Sequence, residues 1–551
     1  MQPSTLAKRG TIFLFLAVIG FYLYGLGQLP LVGPDEPRYT QVAREMFVRH
    51  DLITPTLGGH LWFEKPALLY WMMIASFELV GVSEWSARLP AAVAGLLTIA
   101  AVWVVGSRAE DNSADEQARG LGFYSALASA TSLGIVVFSR AASFDIILTM
   151  TTTWALAFFI ICELESNTKL WWLLISGFYV FVGLSLLAKG LVGIVIPVSV
   201  VGTYYLFRRR LPPRKMLLSL FWGMPLALAI AASWYAPVIW RHGWPFIDQF
   251  IIQHHFARYV RSKYHHTKPA YYFLLILPLL CLPWTAFLIG GLRKADRERW
   301  WENARSTNGI GKLLIFAVAW FVFPVIFFSF SNAKLPGYIL PVLPAAALIV
   351  GERLSRVSSD SKNRGTWQMR TTAILCLLFA VAAPAYAWRS GTLTVLCSLM
   401  VAIPVALAGT FALVSTRRQL ASVMLIAAAT LVALIVALNC AAPKRADYES
   451  AKRLLQLADA RGYSQAAIYG MRREDRTPEF YAAGRVVYAP DGEPVMYEGP
   501  AQVVDESHRR HEVILTFVPL REVSKLTELK LAKTDVIGDN GRFAIVAVRA
   551  P

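Results

Sequence analysis

Apolar runs long enough, or nearly long enough, to cross a bilayer recur through this chain as far as residue 440, and they limit its fold more than any other feature. They lie near 11–27, 87–106, 121–138, 144–162, 171–187, 190–207, 217–239, 271–291, 312–330, 337–350, 371–388, 392–414 and 421–440. At about 20 residues per span, the expected count is about 13. In hydrocarbon every backbone N–H and C=O must be paired within the protein, so such runs are read as helices. The fold class expected is a mainly α-helical polytopic membrane protein. Composition agrees: 56% of residues are apolar, 16% are charged and the mean hydropathy is +0.47, which excludes an ordinary soluble globule. The net charge of +18 would suit a nucleic-acid binder, but the bases cluster in short loops between apolar runs, so no nucleic-acid partner is expected. The five cysteines sit in or beside apolar segments without ligand spacing and read as packing residues.

The short loops also orient the chain. Arg208-Arg209-Arg210 with Arg214 and Lys215, Arg293 with Lys294, Arg297 and Arg299, and Arg417-Arg418 fall on the side of Lys8 and Arg9, which is therefore cytoplasmic. Alternation places 28–86, 139–143, 240–270, 331–336 and everything after about 441 on the opposite face. Several bases on that face break the charge bias, among them Arg38, Lys65, Arg88, Arg140 and Lys334, and Lys189 sits in a tight turn at the same level. Bases on the wrong side point to an anionic ligand there.

The first outer loop carries Gly33-Pro34-Asp35-Glu36-Pro37-Arg38-Tyr39, which puts two adjacent carboxylates at a membrane edge. Pro37 suits a first helical position and Glu36 a cap. The helix expected behind them has Tyr39, Val42 and Met46 on one stripe and Arg38, Gln41, Arg44, Glu45 and Arg49 elsewhere, a pattern that fits the membrane interface. Capping alone would also account for the acids. Trp62 to Trp71 reads as a second interfacial helix starting at Pro66, and the histidine-rich region 240–270 as a loop long enough to cover a site. After Ala441 the composition changes. A helix over Tyr448–Arg461, short strands near 466–469, 486–488, 513–517 and 543–548, and helices from Thr477 and Ala501 predict a small α/β domain. The expected division is therefore 1–440, a transmembrane catalytic domain, and 441–551, an outer-face α/β domain.

Asp35, Glu36, Arg38, Glu64, Lys65, Arg140, Asp145, Lys189 and Lys334 are scattered in sequence but share one membrane depth, where a lipid phosphate also lies. Arg and Lys are natural partners of such a phosphate, and they can stabilise leaving-group charge while a carboxylate orients an incoming group. Plain alternatives stand beside this: Lys65 and Arg38 equally suit ordinary headgroups, and Arg140 with Asp145 a local ion pair. Lys189, with apolar sequence on both sides, favours function. No cofactor is required by the sequence. Glu84 and His265 are the candidate ligands, on the right face, for a divalent metal such as zinc.

Together, Gly33 to Tyr39, Trp62-Phe63-Glu64-Lys65-Pro66, Arg140-Ala141-Ala142-Ser143-Phe144-Asp145, Lys189-Gly190 and Lys334-Leu335-Pro336-Gly337-Tyr338 resemble the GT-C type glycosyltransferases that use polyprenyl-phosphate sugars. More narrowly, the chain looks like the lipid A aminoarabinose transferases, relatives of the protein O-mannosyltransferases. The resemblance covers the membrane part. It implies a multi-pass enzyme of the bacterial inner membrane, working on the periplasmic side, that moves 4-amino-4-deoxy-L-arabinose from undecaprenyl phosphate to a lipid A phosphate and so gives resistance to polymyxin. It further implies that Arg38, Lys65, Lys189 and Tyr338 hold the donor phosphate, that Asp35 is the catalytic carboxylate and that Asp145 supports it. Glu36, Arg140 and Lys334 join the expected substrate contacts. A protein hydroxyl acceptor stays open. A lipid transporter or flippase, a different class, would place charge near the midplane on broken helices with internal repeats, which this chain lacks.

Overall fold

The computed structural model describes residues 5–113, 115, 119–250, 252, 268–293, 309–359, 367–390, 393–415, 417–472, 475–482, 484–529 and 531–550, with side chains from residue 14 onward. In chain order the first elements are α1 (Thr5–Leu23), α2 (Asp35–Val48), the two-residue strands β1 (Thr56–Leu57) and β2 (His60–Leu61), α3 (Leu68–Val80), α4 (Glu84–Asp111), α5 (Leu121–Thr131), α6 (Leu133–Phe138), α7 (Phe144–Leu164) and α8 (Thr168–Lys189). Among the described residues nine helices are long and apolar enough to cross a membrane: α4, α7, α8, Arg214–His242, Gly309–Ser329, Pro336–Ser359, Trp367–Ser390, Val395–Val414 and Gln419–Cys440. The protein is thus a multi-pass membrane protein.

Every one of the expected apolar runs has a helical counterpart, but not all are full spans. The run 121–138 is two helices, because the chain turns extended at Ser132. The run 271–291 is a pair, Tyr272–Leu280 and Thr285–Gly291, bent by 118° where Pro283 cannot donate to a helical ladder. Leu14–Leu23 and Val192–Phe207 are apolar but shorter than the nine. Apolarity marked these helices well, whereas the bend and the break are made by one or two residues inside an apolar stretch.

The chain divides into two compact units, Met1–Tyr24 with Glu64–Leu69 and Pro90–Ala437, and Gly25–Phe63 with Tyr70–Leu89 and Leu438–Pro551. The first is the helical membrane part. Its helices close on small residues, as expected where lipid gives no hydrophobic drive between helices: a Cβ at Gly106 of α4 would meet the Gly122 backbone of α5 at 2.7 Å. Cys162, Cys281 and Cys376 are free and buried, as expected of packing residues, but Cys397 and Cys440 are disulfide-bonded, which the sequence reading did not anticipate.

The second unit joins residues 25–63 and 70–89 to the tail, a grouping that a linear division at 440/441 does not contain. The tail holds a five-stranded sheet of β3 (Ala467–Met471), β4 (Met496–Tyr497), β5 (Ile514–Pro519), β6 (Lys533–Asp539) and β7 (Phe543–Arg549), in the order β4-β3-β5-β7-β6. β3 runs parallel to β4 and β5, while β7 is antiparallel to β5 and β6. Leu454 and Leu455 of the helix Lys452–Ala460 bury one face against Ile468, Leu515, Phe517 and Ile545. Val503 and Val504 of the helix Pro500–Arg510 bury the other against Tyr469, Ile514 and Val546. The expected α/β character is present, with differences of detail. The expected helix 448–461 is two helices parted at Ser450, and 486–488 makes only isolated bridges. β6 has no strand signal in the sequence, because its edge position leaves most of its residues exposed and polar.

Candidate active site

α2 starts at Asp35, not at Pro37, and its N-cap is Pro34, with no side-chain cap. Glu36 is therefore not the cap expected of it. The stripe of Tyr39, Val42 and Met46, expected at the membrane interface, is instead buried within the protein. The two neighbouring acids of the first turn part company. Glu36 is 6% exposed and takes the Arg88 guanidinium on both oxygens, Nε to Oε1 at 2.9 Å and Nη2 to Oε2 at 2.8 Å. Its Oε2 also accepts the Val32 N–H at 3.0 Å. Asp35 is 55% exposed and pairs with Arg38 at 2.8 Å. Arg38 in turn donates to the Pro34 carbonyl at 2.9 Å and lies over the Trp62 ring at 5.4 Å. The carboxylate presented outward is thus Asp35, and Glu36, expected to touch substrate, is committed to holding the loop.

In the sequence Arg88 is only one base on an unexpected side. In the structure all five of its N–H groups have fixed acceptors: besides Glu36, Nη1 donates to the Leu26 and Leu29 carbonyls at 2.8 and 2.7 Å and Nη2 to Pro30 at 2.8 Å. A bidentate guanidinium–carboxylate pair with its remaining donors satisfied is the geometry in which a buried ion pair is tolerated. Further along α2, the Glu45 carboxylate accepts from Gly58 N at 2.7 Å, Gly59 N at 3.2 Å and Thr56 Oγ1 at 2.6 Å, which fixes the β1–β2 turn. Both turn glycines have positive φ, 59° and 81°, a conformation with little cost only for glycine.

The other expected residues belong to the membrane unit. Ser143 caps α7, its hydroxyl accepting the Asp145 N–H at 3.1 Å, so Asp145 stands in the first turn, where the helix dipole favours an anion. α8 ends at Lys189 because Gly190 follows with φ 70°, and a cation suits that C-terminus. Lys189 Nζ donates to Asp145 and lies over the Tyr338 ring at 4.6 Å. Tyr338 is carried by a 3₁₀ helix, Pro336–Val342, whose Gly337 has no room for a side chain, since a Cβ there would run into the Asp145 carboxylate. Three sequence-distant segments, carrying Asp145, Lys189 and the pair Gly337-Tyr338, are thereby assembled into one polar cluster. Its cation stands in a partly buried setting suited to a phosphate.

Arg140 grips the C-terminal end of α1, donating to the Phe21 carbonyl at 3.0 Å and to that of Tyr24. Lys334 is buried, with its ammonium on the Ser331 carbonyl, and Lys65 is half-buried. Of the two expected metal ligands, Glu84 accepts from Lys452 Nζ at 2.5 Å and Tyr481 OH at 3.1 Å. His265 lies outside the described residues, as does most of the histidine-rich region that contains it. Among the described residues no three His, Cys, Asp or Glu side chains converge as a metal site.

The family model described as dolichyl-phosphate-mannose-protein mannosyltransferase matches residues 64–240. A curated relative from Aeromonas salmonicida, named undecaprenyl phosphate-alpha-4-amino-4-deoxy-L-arabinose arabinosyl transferase, is 28% identical over 374 residues, 65% of this chain and 63% of the relative. A relative of the same name from Pseudomonas aeruginosa is 28% identical over 387 residues, 68% of this chain and 66% of its own. The matched stretch therefore spans less than two thirds of either relative. Among solved structures, ArnT from Cupriavidus metallidurans bound to undecaprenyl phosphate superposes with a TM-score of 0.78 at 24% identity, covering 98% of both chains. The Archaeoglobus fulgidus oligosaccharyltransferase in its apo form superposes with a TM-score of 0.53 at 12% identity, over 94% of this chain and 70% of that one. The fold is that of these proteins, the GT-C type.

Proposed function

We propose that this chain, a GT-C type membrane protein similar to the aminoarabinose transferases, is a glycosyltransferase that moves 4-amino-4-deoxy-L-arabinose from undecaprenyl phosphate to a phosphate of lipid A. It works on the periplasmic face of a bacterial inner membrane. The observation that carries the reading is the separation of the two acids at the head of α2: Glu36 is buried on Arg88, while Asp35 stays outward beside Arg38. A reacting sugar needs a carboxylate, and the exposure of Asp35 beside Arg38 supports that role for it. Lys189, seated between Asp145 and the Tyr338 ring, supplies a cation for the donor phosphate, whose charge grows as the glycosidic bond breaks. The names of the curated relatives support the sugar and the carrier.

A lipid A phosphate is already ionised near neutral pH and needs little help from a general base. On this reading Asp35 orients the sugar amine or supports positive charge on the sugar ring in the transition state. A protein hydroxyl acceptor is the second reading, favoured by the mannosyltransferase description of the family model. Such an acceptor would use Asp35 as a base.

The test is expression in a Gram-negative strain lacking its own aminoarabinose transferase, followed by mass spectrometry of its lipid A. The amino sugar is expected on lipid A from the wild-type chain and absent with Asp35→Asn. Unmodified lipid A from well-expressed wild-type protein would overturn the lipid A assignment in favour of the hydroxyl acceptor.

A further inference from the structure

The proposed reaction assigns no task to the tail, yet the tail touches the segment that carries Asp35. Two consecutive residues of one short tail helix, Pro478–Tyr481, hold the outer loop at two separate points. The Tyr481 hydroxyl accepts the Leu31 N–H at 2.6 Å, and it donates to Glu84 Oε1 at 3.1 Å. Lys452, also from the tail, reaches the same oxygen at 2.5 Å. On the other side of Asp35, Arg44 of α2 donates to the Phe480 carbonyl at 2.8 Å and stands over the Phe480 ring at 4.6 Å.

Between these points little of the loop is left to move. The carbonyls of Leu26, Leu29 and Pro30 are held by Arg88, the N–H of Leu31 by Tyr481 and the N–H of Val32 by Glu36. The chain then turns through Gly33 at φ 68° into Pro34 and Asp35. We infer that Tyr481 and Arg44 are positioning residues for Asp35 and that the tail is the part that sets the aim of this carboxylate. Neither side chain touches Asp35. Tyr481 acts through the backbone four residues before it, and Arg44 through the helix that starts with it. A misplacement of about 1 Å at a reacting group can lower a rate about a hundredfold, so a hydrogen bond that fixes this backbone has leverage on turnover.

The inference rests on the function proposed above, and the experiment separates the two. Purified full-length protein is assayed with undecaprenyl-phosphate aminoarabinose and lipid A, as wild type, Tyr481→Phe and Arg44→Lys. Tyr481→Phe keeps the ring and removes the hydroxyl. It is expected to lower kcat about tenfold while KM for the donor stays within about twofold, the pattern of a lost transition-state alignment and not of lost binding. Arg44→Lys, which leaves Tyr481 in place, is expected to lower kcat in the same sense and serves where Tyr481→Phe does not fold. An active wild type with both variants at wild-type kcat overturns this inference alone. So does a loss of activity that appears only as a raised KM or in step with a lowered melting temperature. A wild type that transfers no sugar overturns the proposed function and this inference with it.

Discussion

At the scale of single residues, the Arg88–Glu36 pair shows how a charge becomes part of the scaffold. Removing one partner leaves the other charge buried without compensation, which costs about 3 kcal/mol or more. Arg88→Leu is therefore expected to lower the thermal midpoint of the detergent-solubilised protein by several degrees, and Glu36→Leu/Arg88→Leu to recover part of that loss. Midpoints that are the same for the single and double variants would contradict the account. The sequence marked the Asp35-Glu36 pair as unusual, from charge at a membrane edge. It did not tell which of the two faces outward, because that depends on an arginine 52 positions away. Lys189 and Asp145 were each legible, one as a lone cation between apolar runs and the other beside a base. Their pairing across 44 positions came only with the packing of α7 on α8. Tyr481, Phe480 and Lys452 carried no sequence signal, since their task is defined by what they touch.

At the scale of elements, the site in the membrane unit depends on how α7, α8 and the 3₁₀ helix meet. Ser143 starts α7, Gly190 stops α8, and Gly337 lets the 3₁₀ helix approach the Asp145 carboxylate. The first two are capping signals readable from local sequence. The third is a contact between distant segments and leaves no local mark. Gly337→Ala is expected to displace Asp145 or Tyr338, with kcat reduced tenfold or more, an effect of roughly 1.4 kcal/mol or greater on the barrier, and with the protein still folded in detergent. Wild-type turnover in a folded Gly337→Ala protein, measured with the donor in excess, would remove Gly337 from the argument. The elements without a sequence signal share a cause. β6 is polar because it is an edge strand, and the bend at Pro283 sits inside an apolar run whose composition reads as one straight helix.

At the scale of the whole molecule, the unit that joins loop and tail contains a buried acid that ties its stability to pH. Glu479 is 2% exposed. Burial pushes its carboxyl up to about 7 from an ordinary 4.5, against the pull of Arg476. The folded state therefore keeps this proton over an interval in which the unfolded chain has lost it. The sign follows: the contribution is fully present below about pH 4.5 and is lost as pH rises to about 7, a change on the order of 3 kcal/mol. Thermal midpoints of the full-length protein at pH 5 and pH 8 should differ in that direction, and Glu479→Gln should shrink the difference. A Glu479→Gln protein with an unchanged pH response would show that other groups govern it.

The link between Leu31 and Tyr481 spans 450 positions, and this has a bearing on how the protein is made. At about 5–20 residues per second, the ribosome supplies the second partner roughly 20–90 seconds after the first. The loop bearing Asp35 is thus made long before Tyr481, the residue that clamps it. A chain cut short before Tyr481 would carry the Asp35 loop without the hydrogen bond at Leu31 that holds it.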